Sequence, residues 1–131
     1  MEIVVVDGQG GGIGRSIIQA LKKNFDHVEV IGVGTNSIAT TSLKKGGADI
    51  IATGEHAIVY NVIRAQIVIG PIGIAFANSM YGEITPQIAQ AVSETEAIKY
   101  LIPMSQSQAH VVGVSEKTVP EYIEDLIQML K

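Results

Sequence analysis

Apolar residues along this chain alternate between short β-branched runs and stretches of helical period. EIVVV (2–6) reads as a fully buried strand, and VEVIGV (28–33), ADIIA (48–52), QIVIG (66–70) and AIKYLI (97–102) as the second to fifth strands. Between the first two, Ile13, Ile17, Leu21 and Phe25 recur every fourth residue over 12–25, the stripe of an amphipathic helix. A short helix over 37–45 is ended by Gly46 and Gly47, and a third over 55–65 carries Ile58, Val62 and Ala65 on one face. Thr85 and Pro86 open the next helix as N-cap and first helical residue. The last helix has the plainest start: Thr118 with Glu121 three residues on forms a capping box. Val119, Tyr122, Ile123, Leu126, Ile127 and Leu130 supply its apolar face.

Alternation this regular predicts one α/β domain over 1–131, a three-layer Rossmann-like fold with helices on both faces of a mostly parallel sheet. The expected strand order is 3-2-1-4-5. A sixth run, AHVVGV (109–114), follows the fifth strand after only the polar turn SQSQ (105–108). A parallel crossover needs a dozen or more residues, so this run is expected as an antiparallel edge strand.

Composition narrows the function classes. With 47% hydrophobic and 17% charged residues the 131-residue chain is globular. A net charge of −4 gives no basic footprint for nucleic acid. There is no cysteine, and His27, His56 and His110 are scattered, so no metal site is expected. The uncharged stretch 65–82 is as long as a membrane span. Its interior glycines, proline and amides fit a buried strand and turn better, which points to a cytoplasmic protein without a membrane partner. A mean hydropathy of +0.31 in so small a domain suggests a homodimer, to which the stretch 65–82 contributes.

In such sheets the binding crevice forms from loops at the carboxyl ends of the strands. Here these read DGQGGGIG (7–14), GTNS (34–37), TGEH (53–56), GPIG (70–73) and PMSQSQ (103–108), all glycine-rich or small and polar. The first loop has five glycines in seven positions (8–14). It fails G-x-G-x-x-G but fits G-x-x-x-G-x-G through Gly8, Gly12 and Gly14. That spacing resembles the short-chain dehydrogenase form of the dinucleotide fingerprint. Backbone N–H groups at the start of the following helix suit an anion, and Arg15, just inside that helix, can either add positive charge or point to solvent. Gly8, Gln9, Gly10, Gly11, Gly12, Ile13 and Gly14 are therefore the candidate phosphate-binding residues.

The likeness to dehydrogenases stops there. The acid that usually ends the second strand and holds the ribose is replaced by Thr35 and Asn36, which can bond sugar or base or cap the next helix. The Tyr-x-x-x-Lys pair is missing, since Tyr60 is followed at +4 by Arg64 and Tyr81 by Thr85. The glycine-rich first loop and the Asn-Thr-type second loop also resemble the start of the tubulin-type GTPases, but GPIGIAFANS (70–79) lacks that family's later glycine run. Taken together, GQGGGIG, GTN, ATGE and IGPIGI…ANSM.GEITP resemble a small bacterial family known only as a domain of unknown function. That resemblance covers essentially the whole chain and implies a compact Rossmann-like protein with no established activity.

Gly70, Pro71, Ile72 and Gly73 are expected beside the first loop, where they can line a bound nucleotide. Asn78, Ser79, Tyr81 and Glu83 follow as the densest polar cluster, with Glu83 the candidate general base or ribose ligand. Glu55 and His56, at the start of the third helix, are further catalytic candidates. Met104, Ser105, Gln106 and Ser107 can contact a ligand after the fifth strand. The chain thus reads as a binder of NAD(P) or another purine nucleotide, phosphates on loop 8–14 and sugar near 34–36. Two other readings remain open: an enzyme acting in the same crevice, and a homo-oligomeric assembly protein.

Overall fold

β-Branched residues that alternate across a pleat and are covered on both faces belong at the centre of a parallel sheet. The computed structural model, which describes residues 1–104 and 109–131, places Ile3, Val4, Val5 and Val6 there, whereas Ile50, Ile51 and Ile98 lie exposed on the two edge strands. Five parallel strands, β1 (Glu2–Asp7), β2 (Glu29–Gly34), β3 (Ile50–Thr53), β4 (Ile67–Pro71) and β5 (Ile98–Ile102), pair in the order β3-β2-β1-β4-β5. Five helices connect and cover them: α1 (Gly12–Asn24), α2 (Ser37–Gly46), α3 (Glu55–Arg64), α4 (Pro86–Glu94) and α5 (Val119–Leu130), with a 3₁₀ turn over Ile72–Ala75.

Each face has its own core. Ile3 and Val5 of β1 pack with Ile17, Ile18 and Leu21 of α1, Leu43 of α2, and Tyr122, Ile123, Leu126 and Ile127 of α5. Val4 and Val6, the alternate residues of the same strand, pack with Ile58 and Val62 of α3 and with Ile88 and Val92 of α4. Period two along β1 thus divides its side chains between two helical layers. The chain winds from β1 out to β3 and then crosses back to β4, so strand order reverses at β1. Register carries this to one edge of the sheet, where Asp7 pairs with Gly34 and Gly34 with Thr53. The carboxyl ends of β1, β2 and β3 therefore stand in a single row.

Local signals behave as their chemistry requires. Asn36 caps α2 by accepting the Ala39 N–H at 2.9 Å, and Thr85 caps α4 by accepting that of Ile88 at 3.2 Å. The Thr118–Glu121 capping box closes in both directions.

The expected sixth strand does not form: residues 109–114 carry no strand, and β5 ends the sheet. Gly113 takes a left-handed φ of 87°, and the Val114 N–H turns back to the Val111 carbonyl. The residues just beyond this turn are tied to α5. The Tyr122 hydroxyl donates to the Ser115 carbonyl at 2.8 Å and accepts the Lys117 N–H at 3.2 Å. A cleft of about 590 Å³ remains between β5, Gly113–Lys117 and α5. The short turn 105–108 on which the antiparallel expectation rested lies outside the described residues, as do the candidates Ser105, Gln106 and Ser107.

The uncharged stretch 65–82 is interior only in its first half. It supplies β4, buried from Val68 to Pro71, and leaves Phe76 and Tyr81 as its exposed large apolar side chains. Among the described residues no helix is long and apolar enough to cross a membrane.

Candidate functional site

The site begins with the last residue of β1. Asp7 is buried, and its two carboxylate oxygens accept the N–H groups of Gly8 and Gly14 at 2.7 Å each. One side chain thus clamps both ends of the glycine loop. Burial pushes the Asp7 carboxyl above its ordinary range; the two backbone bonds pull against this, and the nearby Glu83 charge adds to it. Asp7 is absent from the candidates that sequence reasoning marks. Its signal in the sequence is its place: an acid ending a buried apolar strand, directly before the glycines.

The five glycines of the loop divide by what a side chain would meet. A Cβ on Gly8 would lie 2.8 Å from both Met80 Sδ and Thr35 Oγ1. On Gly14 it would lie 2.5 Å from Leu43 Cδ2 and 3.0 Å from Asp7 Cβ. Gly11 has a left-handed φ of 71°, and its Cβ would sit 2.7 Å from the Ala39 carbonyl oxygen. The fold accounts for these three. It does not account for Gly10 and Gly12, where a Cβ would find nothing within 4 Å and φ is not left-handed. Gly10 and Gly12 are both exposed, and Gly12 opens α1. The N–H groups of Gly10, Gly12 and Ile13 have no protein acceptor among the described residues. Two of them are the first N–H groups of α1, where the helix dipole favours negative charge.

Side chains from two other loops brace this ledge. Ser42 on α2 donates to the Gly10 carbonyl at 2.7 Å. Asn36 turns its amide nitrogen to the Gln9 carbonyl at 3.1 Å while its oxygen caps α2. Above them stands Glu83, from the connection between β4 and α4. Its Oε1 accepts the Gln9 N–H at 2.8 Å, the Thr35 hydroxyl at 2.6 Å and the Asn36 amide at 2.9 Å. Led by the Thr35 bond, these donors hold the Glu83 carboxyl below its ordinary range.

The connection that delivers Glu83 is tightly wound. Asn78, Met80 and Tyr81 all have left-handed φ values, 68°, 57° and 56°, although none is glycine. Such conformations persist only where surrounding contacts over-determine them. Here the Asn78 N–H bonds the Ile84 carbonyl at 2.6 Å, that of Ile84 returns to Ser79, and the Ser79 hydroxyl reaches the Gly73 carbonyl. Ile84 itself is fully buried in the α3–α4 core.

The remaining candidates separate from this cluster. Gly70 and Pro71 are the buried end of β4, and Gly73 lies within the 3₁₀ turn. Ile72 lines a different cleft with Pro103, His110 and Tyr122. Glu55 and His56 are exposed at the start of α3, and among the described residues neither side chain hydrogen-bonds to the loop or to Glu83. Nor do the described residues contain a group of three or more His, Asp or Glu able to hold a metal.

The chain belongs to the family described as domain of unknown function DUF3842, whose model matches residues 2–131. No curated protein matches it in sequence. Among solved structures it is similar to a dodecameric FMN-dependent UbiX-like decarboxylase from Escherichia coli O157:H7. The TM-score is 0.55 at 16% identity, covering 99% of this chain and 92% of that one. At that identity the likeness speaks for a shared α/β fold.

Proposed function

We propose, for this member of a family with no assigned activity, that it binds a nucleotide, with a phosphate on the ledge formed by Gly10, Gly12 and Ile13. The observation that carries the proposal is the pair Gly10 and Gly12. Neither backbone conformation nor packing requires glycine there, whereas close approach of a ligand to the main chain does. Three unclaimed N–H groups beside them, two at a helix N-terminus, match the oxygens of a phosphate. Asp7, Asn36, Ser42 and Glu83 hold the loop in shape beforehand, so ordering it on binding costs little.

NAD(P) or another purine nucleotide fits this ledge, and the similar solved structure is described as dependent on FMN, which also ends in a phosphate. Replacing Gly12 with valine is expected to leave the melting temperature near that of the wild type and to weaken nucleotide binding by tenfold or more. Calorimetry with NAD, NADP, ADP and FMN reads this out. A wild-type protein that binds none of the four overturns the proposal. An enzyme using Glu83 as general base is the poorer reading, because the donors on Oε1 hold the carboxyl below its ordinary range, which makes it a weaker proton acceptor, and that oxygen is already saturated.

We also propose that the protein is a cytoplasmic homo-oligomer. Ile98 (61% exposed), Val112 (98%) and Met129 (69%) present apolar surface on β5, the segment after it and α5. The similar decarboxylase is described as dodecameric. Light scattering after size exclusion is expected to give a multiple of the 13.9 kDa chain mass, and a single-chain mass at micromolar concentration counts against it.

A further inference from the structure

The missing acid at the end of β2 is replaced in space. Thr35 and Asn36 occupy the position from which a carboxylate would reach a ribose, and Glu83, 48 residues from Thr35, lays its carboxylate on both. Its two oxygens are unequal. Oε1 takes all three donors, whereas Oε2 has no partner among the described residues, and the side chain is only half-buried. A carboxylate fixed through one oxygen leaves the other aimed and ready to accept. The donors of this corner, the Thr35 hydroxyl and Asn36 amide, are already used.

We infer that Glu83 is the specificity-determining residue of the site: its Oε2 accepts hydrogen bonds from the vicinal hydroxyls of an unsubstituted ribose and repels a ribose carrying a 2′-phosphate. This rests on nucleotide binding at loop 8–14. Proximity supports it, because the Gln9 N–H that holds Oε1 is one residue from the open N–H of Gly10. A carboxylate next to the phosphate ledge is placed for the sugar of the same nucleotide. Charge supports it too. The two ion pairs among the described residues, Lys22–Asp49 and Lys117–Asp125, both leave Glu83 without a cation. A 2′-phosphate would meet a bare negative charge, and binding one normally takes an arginine. The lowered Glu83 carboxyl keeps that charge in place at neutral pH.

Calorimetry with NAD and NADP, which differ only by the 2′-phosphate, tests this on the wild-type protein. NAD is expected to bind at least tenfold more tightly than NADP, and ADP more tightly than 2′-deoxy-ADP. Glu83→Gln keeps an acceptor for the three donors but removes the charge. It is expected to weaken NAD about tenfold, the scale of a hydrogen bond to a charged group, and to bring the NAD-to-NADP ratio close to one. Thr35→Val removes one donor to Oε1 and leaves the charge, so the preference for NAD persists. Equal wild-type affinity for NAD and NADP, or a Glu83→Gln protein with the wild-type preference, overturns the inference while nucleotide binding stands. A wild-type protein that binds no nucleotide removes both.

Discussion

Gly11→Ala is expected to lower the stability of the fold by about 2–4 kcal/mol, from left-handed backbone strain together with overpacking. The neighbouring change Gly10→Ala should stay within about 0.5 kcal/mol, as surface substitutions do. The contrast comes from where each Cβ lands. At Gly11 it meets the Ala39 carbonyl oxygen at 2.7 Å and the Ala39 Cα at 2.9 Å, main-chain atoms that no rotamer can move aside. Relief requires α2 to back away from the loop, which pulls on the Ser42 and Asn36 bonds to Gly10 and Gln9. At Gly10 the Cβ enters open space. Urea denaturation of the two variants side by side measures this. Equal loss in both would mean that the fold itself requires glycine at Gly10, which would then no longer mark a ligand ledge.

Asp7→Ala is the second large effect, expected at about 2–4 kcal/mol. It leaves the buried N–H groups of Gly8 and Gly14 without acceptors, each costing about 1–3 kcal/mol, partly offset by removal of a buried charge. Against a total of about 5–15 kcal/mol for a typical domain, this is a large share. The same residue gives a pH signature with a definite sign. Because the folded carboxyl titrates above 3.8, the native state keeps its proton where the unfolded chain has lost it. The Asp7 contribution to stability therefore falls as pH rises from 3.8 through the folded value. Glu83 acts oppositely: its lowered carboxyl stabilises the fold above 4.5, and that contribution is lost as pH falls through its folded value. Denaturation across this acid range should show the Asp7 slope in the wild type and its absence in Asp7→Asn. An unchanged slope in that variant would assign the pH dependence to other groups.

Much of the fold was legible because it rests on local periods. The four-residue spacing from Ile13 to Leu21 and the β-branched run at 2–6 each have one way to bury themselves, and both do so. The run 109–114 has the same apolar look, yet Gly113 turns it and the Tyr122 hydroxyl anchors the chain just beyond it to α5. Nothing local in AHVVGV announces that the residues just after it, Ser115 and Lys117, bond a tyrosine on the last helix.

The candidate site shows the same division. Five glycines between a buried strand and a helix marked loop 8–14, and the bare Thr35-Asn36 corner marked a missing acid. Spacing alone could not sort Gly11, pressed on the backbone of α2, from Gly10, which touches nothing. Nor could it bring Glu83 to Thr35, or set Glu55 and His56 apart from both. By itself the sequence marked the five strands, the five helices and the glycine loop at 8–14, since helical and strand periods and a helix N-terminus are properties of neighbouring residues. Their regular alternation pointed to the sheet order. Only the tertiary structure decided which glycines stand free and which acid faces the second strand, because both depend on main-chain and side-chain atoms from elements far apart in the chain.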